Sequence, residues 1–98
     1  MDTDELIKNV VLWGRKKHLD DPLMQYIKTV EEVAEIAHEI TRGSLISPEL
    51  KDAIGDSTVT LIILADILGF DFKECLEMAW NEIKDRKGKT INHSFIKE

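Results

Sequence analysis

Two dipeptides constrain this chain more than any other feature. Asp21-Pro22 and Ser47-Pro48 each set a side-chain acceptor directly before a proline, and each opens a segment that runs to a glycine, Gly43 or Gly69. Asp and Ser accept hydrogen bonds from the free N–H groups of a helix start, and Pro fits the first helical position because its missing N–H has no partner there anyway. Glycine just past the last turn accommodates the left-handed conformation that ends many helices. Both segments are therefore expected to be helices. The second contains Val59-Thr60-Leu61-Ile62-Ile63-Leu64, a run that alone would suit a strand. The caps enclose a segment several times longer than a typical strand, so helix is the expectation.

The same logic extends to both ends. A first helix is expected from Asp4 to Lys17, capped by Thr3 or Asp2, with Leu6, Ile7, Val10, Val11 and Gly14 on one stripe. A fourth should begin at Asp71, which has capping-box spacing to Glu74, and bury Phe72, Cys75, Leu76, Ala79 and Ile83. The expected helices are 4–17, 22–42, 48–68 and 72–87, followed by an extended arm over 89–98 that lacks a helical period. This is an all-α fold, a four-helix bundle in one domain spanning 1–98. The chain has 98 residues, and a chain of that size hides only roughly 60–65% of its unfolded surface. Residues 59–68 are apolar nearly all round, and three short helices could hardly surround them. Oligomerisation, as a homodimer or homotetramer, is expected to complete the bundle.

Charge narrows the function. Thirteen basic against nineteen acidic residues give a formal net charge of −6, which argues against a general nucleic-acid binder. No run of about eighteen apolar residues suggests a membrane span. The start, Met1-Asp2-Thr3-Asp4-Glu5, is acidic where a signal peptide would be basic. A soluble, cytoplasmic protein is the expectation, and the single Cys75 excludes an intrachain disulfide framework.

The informative residues are acids on the two long helices. Glu31, Glu32, Glu35 and Glu39 interrupt the apolar pattern of the first. Helical geometry gathers Glu32, Glu35 and Glu39 within roughly 60° of one another, with Lys28 on the same stripe. Asp52 and Asp56 share a face of the next helix, although Asp is a poor helix former. Such a set is either a solvated acidic face or a cation site. Carboxylates from two helices can hold a hard divalent ion, and an all-oxygen donor set suits Mg²⁺ or Mn²⁺ better than iron or zinc.

These residues carry a resemblance. Glu31-Glu32-Val33-Ala34-Glu35 resembles the Glu-Glu-x-x-Glu signature of the MazG-like, all-α nucleoside triphosphate pyrophosphatases. Ala53-Ile54-Gly55-Asp56, running into the apolar stretch through Asp66, is similar to that family's second motif, Glu-x-x-Asp. Trp13 and the segment Asn81-Glu82-Ile83-Lys84-Asp85-Arg86 also match, so the likeness covers about residues 5 to 90, and the ending is similar to short phage and prophage versions. The resemblance implies Mg²⁺-dependent hydrolysis of a nucleoside triphosphate to the monophosphate and pyrophosphate, at a site typically built at subunit interfaces. It implies Glu32, Glu35 and Asp56 as metal ligands, and Glu31 or a neighbouring ligand as the group that orients water. One position departs: Ala53 stands where the family has Glu. Asp52, adjacent and one turn from Asp56, is the candidate replacement ligand.

Other residues have two readings each. Lys28 can contact phosphate or pair with Glu32; Lys84 and Arg86 can reach phosphate or compensate a helix dipole. Trp13 can stack on a base or pack in the core, and Asn81 can bond base or sugar. His18, His38 and His93 form no constellation with one another. Two competing functions remain: a phosphoribosyl-ATP pyrophosphohydrolase with similar acidic motifs, and a non-catalytic helical adaptor holding a structural cation, which Ala53 favours.

Overall fold

A computed structural model describes residues 1–43 and 45–98. It contains four helices, α1 (Thr3–Lys16), α2 (Pro22–Thr41), α3 (Pro48–Ile67) and α4 (Phe72–Ile83), then two short strands, β1 (Gly88–Ile91) and β2 (Ser94–Lys97). The four starts follow the caps. Asp2 accepts from the Glu5 N–H, Asp21 from Met24, and Ser47 from Leu50, at 2.8, 2.9 and 3.0 Å. Asp71 accepts from Lys73 rather than from Glu74, so the expected capping box does not form.

The chain end differs from expectation. The fourth helix stops at Ile83, four residues before the expected 87, and the arm over 89–98 is a β-hairpin. Thr90 pairs with Phe95 and Ile91 with Ser94, and the strands turn through Asn92 and His93, both at positive φ. Two consecutive left-handed residues give a turn whose twist matches that of paired strands. Thr90, Ile91, Phe95 and Ile96 favour paired strands, and the Glu98 N–H donates to the Lys87 carbonyl at 2.9 Å, which ties Lys87 to the hairpin rather than to the helix. The protein is therefore mostly helical, with four helices and a small two-stranded sheet.

Helix α3 is the hub, with α1, α2 and α4 each packed against it. Gly14 lets α1 approach closely: a Cβ built there would lie 3.1 Å from Cγ1 of Ile63. The buried apolar residues, Ala53, Ile62, Ile63 and Ala65, all belong to α3. The seam with α2 is polar, formed by buried Gln25, Thr29, Ser57 and Thr60. Each is hydrogen-bonded: the Gln25 amide nitrogen donates to the Thr60 carbonyl at 3.1 Å, and the three hydroxyls donate to carbonyls of their own helices. Ala53, Ser57 and Thr60 are small residues that permit close helix approach.

Elsewhere the apolar surface lies open. No residue of α4 is buried, and Tyr26, Val33, Leu61 and Trp80 are among the exposed large side chains. The accessible surface is 7916 Å², whereas a folded monomer of 11.2 kDa should expose about 5,700 Å². Among the described residues, no single helix is long and apolar enough to cross a membrane.

Candidate functional site

A cleft of about 600 Å³ opens where α1, the turn after it, α2 and α3 meet. Its walls change character along α2. Met24 and Gln25 lie near the helix start, beside Trp13 and Leu19; Lys28 and Glu32 lie farther along, and Asp56 joins them from α3. At 1.5 Å rise per residue, Gln25 and Glu32 are about 10 Å apart along the axis and face the same way within about 20°. Lys28, Glu32 and Asp56 thus mark one end of the cleft, and Trp13, Leu19 and Met24 lie toward the other, where His18, Asp20 and Asp21 also join the wall.

At the first of these ends, Lys28 Nζ lies 3.2 Å from Glu32 Oε1 and 3.7 Å from Glu31 Oε2. The hydrogen bond and charge of Glu32, and the charge of Glu31, raise the Lys28 pKa above its ordinary value. The Asp56 carboxyl is pushed up. Partial desolvation is the largest cause, followed by the negative charges of Asp52 and Glu32 and a hydrogen bond with Asp52, while Lys28 opposes the shift. Asp56 therefore senses both Asp52 and Glu32, and Lys28 is the cation at hand.

The expected ligand set is only partly gathered. Glu35 does not line the cleft. Instead it, His38 and Glu39 bring ligand atoms within 4.8 Å of one another, whereas Glu32, Glu35, Asp52 and Asp56 form no such group among the described residues. Glu39 is buried, with its Oε1 3.9 Å from Arg42 Nη1, and Arg42 Nε donates to His38 Nε2. His38 thus has acidic company one turn along the same helix. Ala53 is 3% exposed, in the α2–α3 seam, and Asp52 is exposed beside it.

The remaining residues divide. Trp13 is half-exposed and lines the cleft, so it is not enclosed in the core. Lys28 both lines the cleft and pairs with Glu32. Asn81, Lys84 and Arg86 lie outside the cleft of their own chain. Arg86 donates to Glu82 at 3.1 Å, and Lys84 caps α4. Gln25, Thr60 and His18 line the cleft without having been singled out in the sequence. Gln25 had a legible signal, because it stands seven residues before Glu32 on the same stripe. His18 had none, since its place depends on a left-handed turn at φ 57°.

No family model matches the chain, and no solved structure matches it. The chain is similar to an uncharacterized 18.2 kDa protein of the rep-hol intergenic region of Haemophilus phage HP1. Identity is 35% over 68 residues, which cover 65% of this chain and 40% of the phage protein.

Proposed function

We propose that the chain is a divalent-metal-dependent nucleoside triphosphate pyrophosphohydrolase of the MazG-like, all-α kind, releasing a nucleoside monophosphate and pyrophosphate. The observation that carries this reading is the meeting of Glu32 and Asp56, from two helices, in one cleft with Lys28, where desolvation, and then the charges of Asp52 and Glu32, hold the Asp56 carboxyl above its ordinary value. Carboxylates that meet in one cleft suit a hard cation, and the donors present are the type that Mg²⁺ or Mn²⁺ accepts.

Glu32, Asp56 and Asp52 are the residues that would hold the ion, with Glu35 one turn farther along α2. The bound ion would supply electrostatic stabilisation of charge developing on the reacting phosphorus. Glu31 and Glu32 would orient the attacking water. Lys28, freed from Glu32 once a cation takes its place, would reach a phosphate oxygen as a point charge. The end of the cleft with Trp13 would receive the base.

A second copy of the chain would cover the surplus surface. The excess of about 2,200 Å² per chain over a monomer of this mass, about 4,400 Å² for a pair, lies in the range that obligate homodimer interfaces bury. Asn81, Lys84 and Arg86, outside the cleft of their own chain, would then be available to a neighbour's site.

Incubation of the purified protein with Mg²⁺ and a nucleotide panel that includes phosphoribosyl-ATP, coupled to inorganic pyrophosphatase, tests the reading. Pyrophosphate-dependent phosphate release that stops with EDTA supports it. Its absence with every substrate, alongside a cation-dependent melting temperature, favours the adaptor with a structural cation. The Glu35, His38 and Glu39 group is the observation behind that second reading.

A further inference from the structure

We propose that Gln25 reads the base, and that the substrate therefore lies along α2 with its base toward Trp13 and its polyphosphate toward Lys28, Glu32 and Asp56. This rests on the nucleotide-hydrolysing function proposed above and adds the residue that sets selectivity and the direction in which the substrate lies.

Gln25 is 6% exposed and lines the cleft. Its amide nitrogen donates to the Thr60 carbonyl at 3.1 Å. Only the NH₂ group of a carboxamide can donate to a carbonyl, so this bond fixes which way the amide is turned. The carbonyl oxygen, Oε1, then has no hydrogen-bond partner among the described residues, and no buried side-chain polar atom is sealed from solvent without one. Oε1 is therefore not sealed from solvent, and the cleft is the space that Gln25 lines. A long polar side chain held in a helix seam, anchored at one atom and free at the next, is preorganised to accept from a ligand N–H.

The surroundings identify the ligand group. Phosphate oxygens carry no proton to donate at neutral pH and are repelled by a carbonyl oxygen, so the polyphosphate does not belong at Gln25. Nucleobases carry ring N–H or exocyclic amino donors. Trp13 and Met24 line the same cleft as Gln25 and offer apolar faces on which a base packs, and Asp20 and Asp21, which also line it, disfavour an anionic polyphosphate there. Lys28 and Glu32 follow one and two turns later, about 5 and 10 Å along the axis, on the side where phosphates and their cation are expected. A residue that hydrogen-bonds a substrate group discriminates strongly, because a mismatched ligand leaves a buried polar atom unpaired.

The test is kcat/KM for the four common deoxynucleoside triphosphates in wild type and Gln25→Met, with inorganic tripolyphosphate as a competitive inhibitor that reads the phosphate end alone. The expected result is a loss of about tenfold in kcat/KM for the preferred nucleotide, a flattened ranking among the four, and an unchanged inhibition constant for tripolyphosphate. The ranking is a ratio and does not depend on the folded fraction. Where Gln25→Met does not fold, Gln25→Asn keeps the carboxamide but is too short to hold Thr60 and a ligand together, and it must alter the ranking. An active enzyme whose ranking is unchanged by either variant, or whose tripolyphosphate inhibition weakens in parallel, overturns this assignment alone. A wild-type chain that neither hydrolyses nor binds any nucleotide overturns the function, and this assignment with it.

Discussion

The Arg15 guanidinium grips the Asp66 carboxylate with two hydrogen bonds, Nη2 to Oδ1 at 2.7 Å and Nε to Oδ2 at 2.9 Å. It ties the last turn of α1 to the last turn of α3, next to the Gly14–Ile63 contact. The Arg15 hydrogen bond, reinforced by its charge, holds Asp66 below the ordinary carboxylate range. A lowered folded-state pKa contributes stability that is present above the unfolded value, about 3.9, and is lost as pH falls through the folded one. Asp66→Asn should therefore lower the melting temperature at pH 7. The gap to wild type should close in acid, below the lowered Asp66 value, which thermal melts across pH 2 to 7 will check.

Asp56 should behave in the opposite way. Its raised pKa means that ionised Asp56 costs stability as pH rises from the unfolded value toward the folded one. Asp56→Asn should raise the melting temperature of the metal-free protein at pH 7 while abolishing hydrolysis. A stabilised but inactive variant is the signature of a strained functional carboxylate.

Cation binding should be visible without turnover. At a concentration a hundred times its dissociation constant, Mg²⁺ should stabilise the wild type by about 2.7 kcal/mol. For a domain of this size that is a rise on the order of 10 °C, measured by calorimetry and reversed by EDTA. Glu32→Gln should remove most of the rise. Glu35→Gln should have a smaller effect if the cleft is the cation site, and a larger one if the Glu35–His38–Glu39 group is.

Position 53 gives a sharper test. Asp52→Asn should reduce turnover about 10–100-fold if Asp52 supplies the missing ligand, while Lys51→Ala leaves activity intact. Ala53 is 3% exposed, so Ala53→Glu places a carboxylate in the seam beside Asp56. That variant should melt lower than wild type without metal and recover with millimolar Mg²⁺. Failure to recover would mean that a side chain at 53 does not reach the cation.

Gly14→Leu should cost roughly 1–3 kcal/mol by overpacking against Ile63. Gly14→Ala should be close to neutral, because a gain of about 1 kcal/mol in helix propensity offsets the shift that Ile63 must make. Urea denaturation of both variants measures the difference. In the same buffer, sedimentation at micromolar concentration should find a species of twice the chain mass or more, which Leu61→Glu should dissociate.

The helix starts were legible in the sequence because a cap is a local matter. Asp2, Asp21, Ser47 and Asp71 need only a free N–H two or three residues away, and all four cap the helices they precede. The alternation of acids and apolar residues along α2 was legible for the same reason, since 3.6 residues per turn sets which side chains share a stripe. The end of α4 was not, because residues 84–87 lead into a hairpin whose pairing across Asn92 and His93 reaches back to Lys87 through the Glu98 N–H. Nor was the make-up of the cleft. Periodicity says which residues of one helix face together, but not which stripe of α2 meets which stripe of α3. Thr60 opposite Gln25 turns an unremarked glutamine into an anchored acceptor, and Arg15 on Asp66 settles how α1 closes the cleft with Trp13. Those pairings lie 35 and 51 residues apart in the chain, and only the packing of helices onto α3 brings them together.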